Sequence, residues 1–330
     1  MGKSIITGID IGHDGVKAVT VKPIDDHFML MDYQELPIKT GIFSDNHKTN
    51  YQEIVKKLKE LRKSLPFLQR RVALAIPDNS VISKVLQLDS QPSDPDIEFI
   101  IAQAFCAQIA LNMDDIQLDF VPLHHVAHSH SLVDYQVYAT KKEVIENHCH
   151  PLQAAKLSPV FITIHAHTLL QLWHVKVQRT HSRQWLLVNV DADGVQMVID
   201  FLEVDPFTRS MPLPHNGRSS PEVIQIMEET ARNENESLRF VIGELQRCRQ
   251  QLLALHGCHI EGIWLCGRGA SPFSAEQIEH HLGITCELFD PFDLLVTKSS
   301  QGDPVAHSSY AIATGLAMRA LCWQGQSHVA

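Results

Sequence analysis

Short apolar runs separated by glycine turns dominate the start of the chain, and helical periodicity sets in only later. Ile5 and Ile6 lead into Gly8-Ile9-Asp10-Ile11-Gly12, the polar stretch His13-Asp14-Gly15 follows, and Val19 to Val21 forms a second apolar run. That pattern predicts a strand, a turn and a returning strand. Phe28 to Leu36 predicts a third strand. From about Tyr51 to Leu65, Ile54, Leu58, Leu61 and Leu65 recur at a 3.6-residue spacing with Lys and Glu between them, which predicts an amphipathic helix ended by Pro66. Arg71 to Ile76 then reads as a strand closed by Pro77-Asp78, so the order so far is β-β-β-α-β.

The polar hinge Gln91-Pro92-Ser93-Asp94-Pro95-Asp96 opens a helix predicted from Ile97 to about Met113, with Pro95, Asp96 and Glu98 suited to its positive end. Strands at Gln117–Pro122 and Tyr135–Thr140, a helix at Lys142–Ala155 and a strand at Val160–Ile164 follow. Residues 86–158 thus read as a small α/β insertion. The pattern then restarts: Trp185–Val190, the turn Asp191-Ala192-Asp193-Gly194, and Val195–Leu202 repeat the opening hairpin. A helix at 220–255, a strand at Ile260–Cys266, the loop Gly267-Arg268-Gly269-Ala270, a helix at 274–282, a strand near Thr285–Leu288 and a closing helix from about Ser309 to Leu321 complete the chain. A duplicated hairpin followed by α/β elements predicts two similar lobes with a ligand cleft between them.

Composition narrows the function. The 330 residues, 44% hydrophobic and 20% charged, suffice for two ordinary globular cores. A net charge of −10, with Lys56-Lys57-Leu58-Lys59 as the one basic block, argues against nucleic acid as the main partner. The seven cysteines form no CxxC pair and read as reduced thiols. Met1-Gly2-Lys3 runs straight into a strand without a signal-peptide pattern, and no apolar run approaches the length of a membrane span. A cytoplasmic protein, held at a membrane through partners, is the expectation.

The candidate chemistry lies in the turns. A glycine hairpin can present backbone N–H groups to a phosphate. Asp10 at the strand end can hold Mg²⁺ through water, and Lys17 can return across the hairpin as a point charge. Four elements occur in order: Asp10-Ile11-Gly12 with Lys17; Asp191-Ala192-Asp193-Gly194; the helical Glu244-Leu245-Gln246-Arg247-Cys248; and Leu265-Cys266-Gly267-Arg268-Gly269-Ala270. Together they resemble the two phosphate loops and the adenosine loop of the actin, sugar kinase and chaperone ATPase superfamily. Within it, Gly8–Val19, Tyr135–Glu146, Leu265–Ala270, Gly283, Asp290–Leu295 and Ala311–Leu321 resemble the type IV pilus assembly protein PilM family over nearly the full chain.

That resemblance implies an α/β, two-lobed actin-like (ribonuclease H-like) fold. Residues 1–190 would be the first lobe, with an inserted FtsA-like subdomain at about 86–158, and 191–330 the second lobe with the adenosine loop. It implies ATP with Mg²⁺ in the cleft, held by Asp10, Gly12, His13, Lys17, Asp191, Asp193, Gly194, Glu244, Arg247, Gly267, Arg268 and Gly269, with Asp10 and Asp191 facing the metal. It also implies a scaffold of the type IV pilus inner-membrane assembly complex that binds the cytoplasmic N-terminal tail of PilN.

The loops depart from the family pattern. His13, Asp14 and Gly15 stand where small hydroxyl residues are usual, and Asp193 stands where the second loop has Gly. Carboxylates facing a polyanion weaken the expected chemistry, so at most a weak ATPase is expected and no catalytic base is assigned. The alternatives are a small-molecule kinase, which needs an intact second loop and a carboxylate base, and a polymerising actin-like ATPase. Asp191 could equally be a turn-capping residue.

Among the 20 histidines, His124, His125, His128, His130, His148 and His150 read as exposed polar positions, and so do His165 and His167, which fall in a strand-to-helix region near the cleft; i, i+2 pairs share a face only where they lie on a strand. Helix 97–113 is apolar on more than one side; core packing is its default reading, and a partner-binding face of the inserted subdomain the sharper one. The lysine run of helix 51–65 is a solvated face with a weak attraction to anionic lipid.

Overall fold

A computed structural model describes residues 5–13, 15–38, 47–66, 69–89, 95–109, 111–123, 132–192, 194–201, 205–213, 223–297 and 303–326. These fall into two compact units, residues 1–75 with 155–330, and residues 76–154.

The first unit begins with strands β1 (Ile6–Gly12), β2 (Gly15–Ile24) and β3 (His27–Pro37), helix α1 (His47–Ser64) and strand β4 (Arg71–Ile76). The second unit holds β5 (Ile82–Leu88), α2 (Ile97–Ile109), β6 (Ile116–Leu123), β7 (Val133–Lys141) and α3 (Lys142–Ala154). Its sheet runs β5-β7-β6, antiparallel throughout. Alternation along β7 buries Tyr135, Val137 and Ala139 against Ile101 and Phe105 of α2, a small core of its own. Helix α2 ends at Ile109, short of the end expected near Met113, where a short 3₁₀ turn (Met113–Asp115) begins. The Asn112 side chain accepts from the Asp114 N–H and caps that turn instead.

The chain then returns to the first unit with β8 (Ser158–Ile164), α4 (His165–Thr180), β9 (Trp185–Asp191), β10 (Gly194–Ile199), β11 (Phe207–Met211), α5 (Val223–His256), β12 (Gly262–Cys266), α6 (Pro272–Leu282), β13 (Thr285–Leu288), α7 (Pro304–Ser308) and α8 (Ala311–Gln326). Its two five-stranded sheets have the same order, β3-β2-β1-β4-β8 and β11-β10-β9-β12-β13. In each, an antiparallel three-stranded meander is extended by parallel pairing from its first strand, β1 to β4 and β9 to β12.

Apolar strand faces and helices α4, α5 and α8 share one core, with Leu169, Leu172, Val188, Leu245, Leu265 and Leu316 fully buried. Burying each such side chain is worth about 1.5–3 kcal/mol. Helices α4 and α8 cross closely because of Gly315: a Cβ there would lie 2.2 Å from the Thr168 carbonyl oxygen, a backbone atom that cannot step aside. The outer strand β3 is continued by a segment of the second half, since Leu30 donates to the Val296 carbonyl at 3.0 Å and Val296 donates to that of Phe28 at 2.8 Å. No helix among the described residues is long and apolar enough to cross a membrane.

Candidate functional site

Both opening hairpins close with two-residue turns, Gly12↔Gly15 and Asp191↔Gly194. Register fixes what stands behind each turn. In the first hairpin Asp10 lies directly opposite Lys17; in the second, the same place is held by Asn189 opposite Gln196. The charged pair of one hairpin therefore corresponds to a neutral amide pair in the other. Asp191 corresponds in position to Gly12 rather than to Asp10.

The two turns and the loop after β12 converge on one cavity of ≈ 40 Å³, lined by Asp10, Gly12, His13, Lys17, Asp191 and Arg268 and by His165, Asn189, Gln196 and Ile312. Lys17 is buried, donates to the Ser309 carbonyl at 2.9 Å, and lies 3.9 Å from Asp191 Oδ1. Asp191 is held on both oxygens: Oδ1 accepts the Arg268 backbone N–H at 3.0 Å, and Oδ2 accepts from Asn189 Nδ2 at 2.9 Å. Asn189 donates onward to Gln196 Oε1 at 2.7 Å. The Arg268 guanidinium reaches across to the Glu35 carboxylate on β3. Glu35 and Arg268 thus join the first sheet to the loop of the second.

The glycines of that loop serve close approach. Gly267 has φ +94°, and a Cβ on it would stand 2.3 Å from the Val190 carbonyl oxygen. Its N–H donates to Ser308 O at 3.0 Å, and the Gly269 N–H donates to Val190 O at 2.8 Å. The loop is pinned between β9 and α7, which aims the Arg268 N–H at Asp191. Cys266 donates to Asn189 Oδ1 at 3.6 Å, and burial pushes its thiol well above the usual range, so it stays protonated.

Of the residues singled out in the sequence, Asp10, Gly12, His13, Lys17, Asp191 and Arg268 line the cavity, and Gly194, Gly267 and Gly269 shape its turns without lining it. Glu244 and Arg247 do not line it. Glu244 is buried on α5, where it accepts from Arg209 of β11 at 2.9 Å and pairs with Arg247. Asp14 and Asp193 lie outside the described residues, as do His124, His125, His128 and His130. His165 and His167 stand at the strand-to-helix junction expected for them, and neither is an exposed position. Strand β8 ends at Ile164, and both histidines occupy the first turn of α4, where residues two apart point to opposite sides. His165 faces the cavity; His167, half-buried, has its pKa lowered to about 4 by burial and by the charge of Arg319.

The donor set suits a phosphate chain: an ammonium, a guanidinium and the backbone of two tight turns. Among the described residues, no group of three or more His, Cys, Asp and Glu stands close enough to hold a metal alone. A divalent ion here would complete its shell with phosphate oxygens and water, the usual habit of Mg²⁺. The present volume of ≈ 40 Å³ is far below the ~300–1,000 Å³ of typical ligand pockets.

Comparison with known proteins follows the same architecture. The family model described as type IV pilus assembly protein PilM matches residues 8–200. A solved PilM-PilN type IV pilus biogenesis complex shares the fold with a TM-score of 0.75 at 19% identity, covering 96% of this chain and 98% of that one. The ethanolamine utilization protein EutJ from Carboxydothermus hydrogenoformans is similar with a TM-score of 0.52 at 9% identity, covering 96% of this chain and 90% of that one. No curated relative matches in sequence. The fold is the two-lobed, actin-like α/β fold, and the chain belongs to the type IV pilus assembly protein PilM family.

Proposed function

We propose that this protein is an actin-like scaffold at the cytoplasmic side of the pilus-bearing inner membrane. In this reading it captures the cytoplasmic N-terminal tail of PilN and takes ATP with Mg²⁺ in the cleft behind its two hairpin turns. The observation that carries the partner assignment is family membership together with a fold match that spans nearly the whole of both chains. The nucleotide assignment rests on the convergence of Lys17, Arg268 and the two turns on one cavity. In this reading Lys17 and Arg268 meet the phosphates, and Asp10 and Asp191 orient the waters of the metal. Gly194, Gly267 and Gly269 let the backbone approach, and His13 borders the first turn; the assignment of Asp193 to the second turn rests on the family resemblance alone. Glu244 would reach the base side only after leaving Arg209, and Arg247 only after leaving Glu244.

A nucleotide does not fit the cavity as it stands, so binding requires the Glu35–Arg268 bridge and the Lys17–Ser309 hydrogen bond to give way. Asn189 at the position matching Asp10 removes a carboxylate from the second hairpin, which favours holding nucleotide over turning it over. The kinase reading is not favoured by the family match.

Calorimetric titration with ATP and Mg²⁺, beside an ADP-release assay, tests the cleft. Saturable binding with negligible release is expected. Binding unaffected by Lys17→Gln would remove the cleft assignment, and rapid release with a metabolite acceptor would restore the kinase.

A further inference from the structure

We propose that the exposed face of α1 is a docking surface for an anionic lipid bilayer, independent of the cleft. The sequence of α1 holds six Lys and Arg (Lys48, Lys56, Lys57, Lys59, Arg62, Lys63) against two Glu. The rest of the chain holds the remaining 22 Lys and Arg against 36 Asp and Glu, so positive charge is concentrated on this helix of an acidic protein.

The helix is oriented by its apolar stripe. Val55, Leu58, Leu61 and the following Leu65 are buried, which turns Lys56, Lys59 and Lys63 outward on one opposing stripe. These three, with Tyr51, Gln52, Val55 and Glu60, border a shallow groove of ≈ 510 Å³, so that three ammonium groups face one carboxylate there. Tyr51 is 42% exposed, and Tyr is a residue favoured at membrane–water interfaces. Lys57 is engaged by Glu60 at 3.1 Å, whereas Lys56 meets Glu53 only at 3.8 Å with its side chain 64% exposed.

The chemistry selects a lipid surface over an acidic protein. Protein interfaces draw their energy from buried aromatic or guanidinium anchors in fitted pockets. This face offers flexible ammonium groups in excess over one carboxylate, and a single exposed ring. Juxtaposed lysines gain affinity for an anionic leaflet additively, without a fitted partner. The excess negative charge of the rest of the chain would hold the remaining surface away from the same leaflet, giving one orientation.

The test is flotation of the full chain with phosphatidylcholine vesicles, with and without phosphatidylglycerol. Binding is expected only with phosphatidylglycerol and should fall as salt rises. K56Q/K59Q/K63Q should lower the partition coefficient about a hundredfold, from roughly fivefold per lysine. Glu53→Gln should raise it about fivefold on the same reasoning, a gain that misfolding does not produce. Equal binding to both vesicles, no response to either variant, or capture of polyglutamate with no vesicle binding would each overturn the proposal.

Discussion

Lys17, on the returning strand of the first hairpin, lies 3.9 Å from the carboxylate of Asp191 at the turn of the second. A single buried ammonium thereby joins two structurally equivalent halves, and through Ser309 it also ties in the segment that enters α8. The phosphate-binding cation of the proposed cleft is also what closes it.

Lys17→Gln should therefore have two effects. Leaving Asp191 without its cation is expected to cost about 1–3 kcal/mol, as for a partly buried ion pair that loses one member, and ATP binding should disappear. Urea unfolding and calorimetry read the two separately. Unchanged stability would mean that the pair is only a close approach.

Glu35→Gln should separate the latch from the fold. The Glu35–Arg268 bridge is partly exposed, and such pairs contribute ~0–1 kcal/mol, so the melting temperature should barely move. Arg268, released from β3, should then meet nucleotide more readily, and the dissociation constant for ATP should fall severalfold. A weaker constant would show that Glu35 helps form the site.

Asn189→Asp would place a second carboxylate 2.9 Å from Asp191 in a fully buried position. Two like charges at that distance cannot both remain ionised at low cost. A loss of about 2–4 kcal/mol is expected at neutral pH, recovering in part as the solution is acidified and one carboxylate takes a proton. A pH-independent loss would assign the effect to hydrogen bonding alone.

How much of this was legible in the sequence depends on range. The hairpins, the restart after residue 185 and the loop at 267–270 follow from local apolar runs and glycine turns, and the observed strands lie there. Strands β5 and β11 were missed: Ile82-Ser83-Lys84-Val85 and Phe207-Thr208-Arg209-Ser210 alternate weakly, because each strand lies at a sheet edge and buries little. Asn189 and Gln196 carry no charge, so nothing in their chemistry marks them as the counterparts of Asp10 and Lys17. Their spacing across the turn equals that of Asp10 and Lys17, and that signal was available. The partners of Lys17, Arg268 and Glu244 come from distant segments, and no local pattern encodes such pairings.

Gly315→Ala tests the close crossing of α4 and α8. Alanine favours a helix by up to about 1 kcal/mol over glycine, yet its Cβ would meet the Thr168 carbonyl at 2.2 Å. Overpacking should prevail with a net loss of about 1–3 kcal/mol, read as a lower melting temperature. A stabilised variant would show that the helices can separate freely.

His167 gives a pH signature. Its folded-state pKa is lowered from 6.5 to about 4. Below pH 6.5 the unfolded chain binds a proton that the folded chain refuses, so stability falls with acidification until about pH 4 and is fully present above 6.5. The whole shift corresponds to on the order of 3 kcal/mol. In urea titrations across that window, His167→Gln should flatten the dependence; an unchanged slope would place the proton uptake elsewhere.

The most direct measurement of the central claim is calorimetric titration of the full chain with a synthetic peptide of the PilN cytoplasmic N-terminal tail. The account predicts saturable binding in the micromolar range, reproduced with ATP and Mg²⁺ present. No binding at several hundred micromolar peptide, in either condition, would contradict the scaffold role.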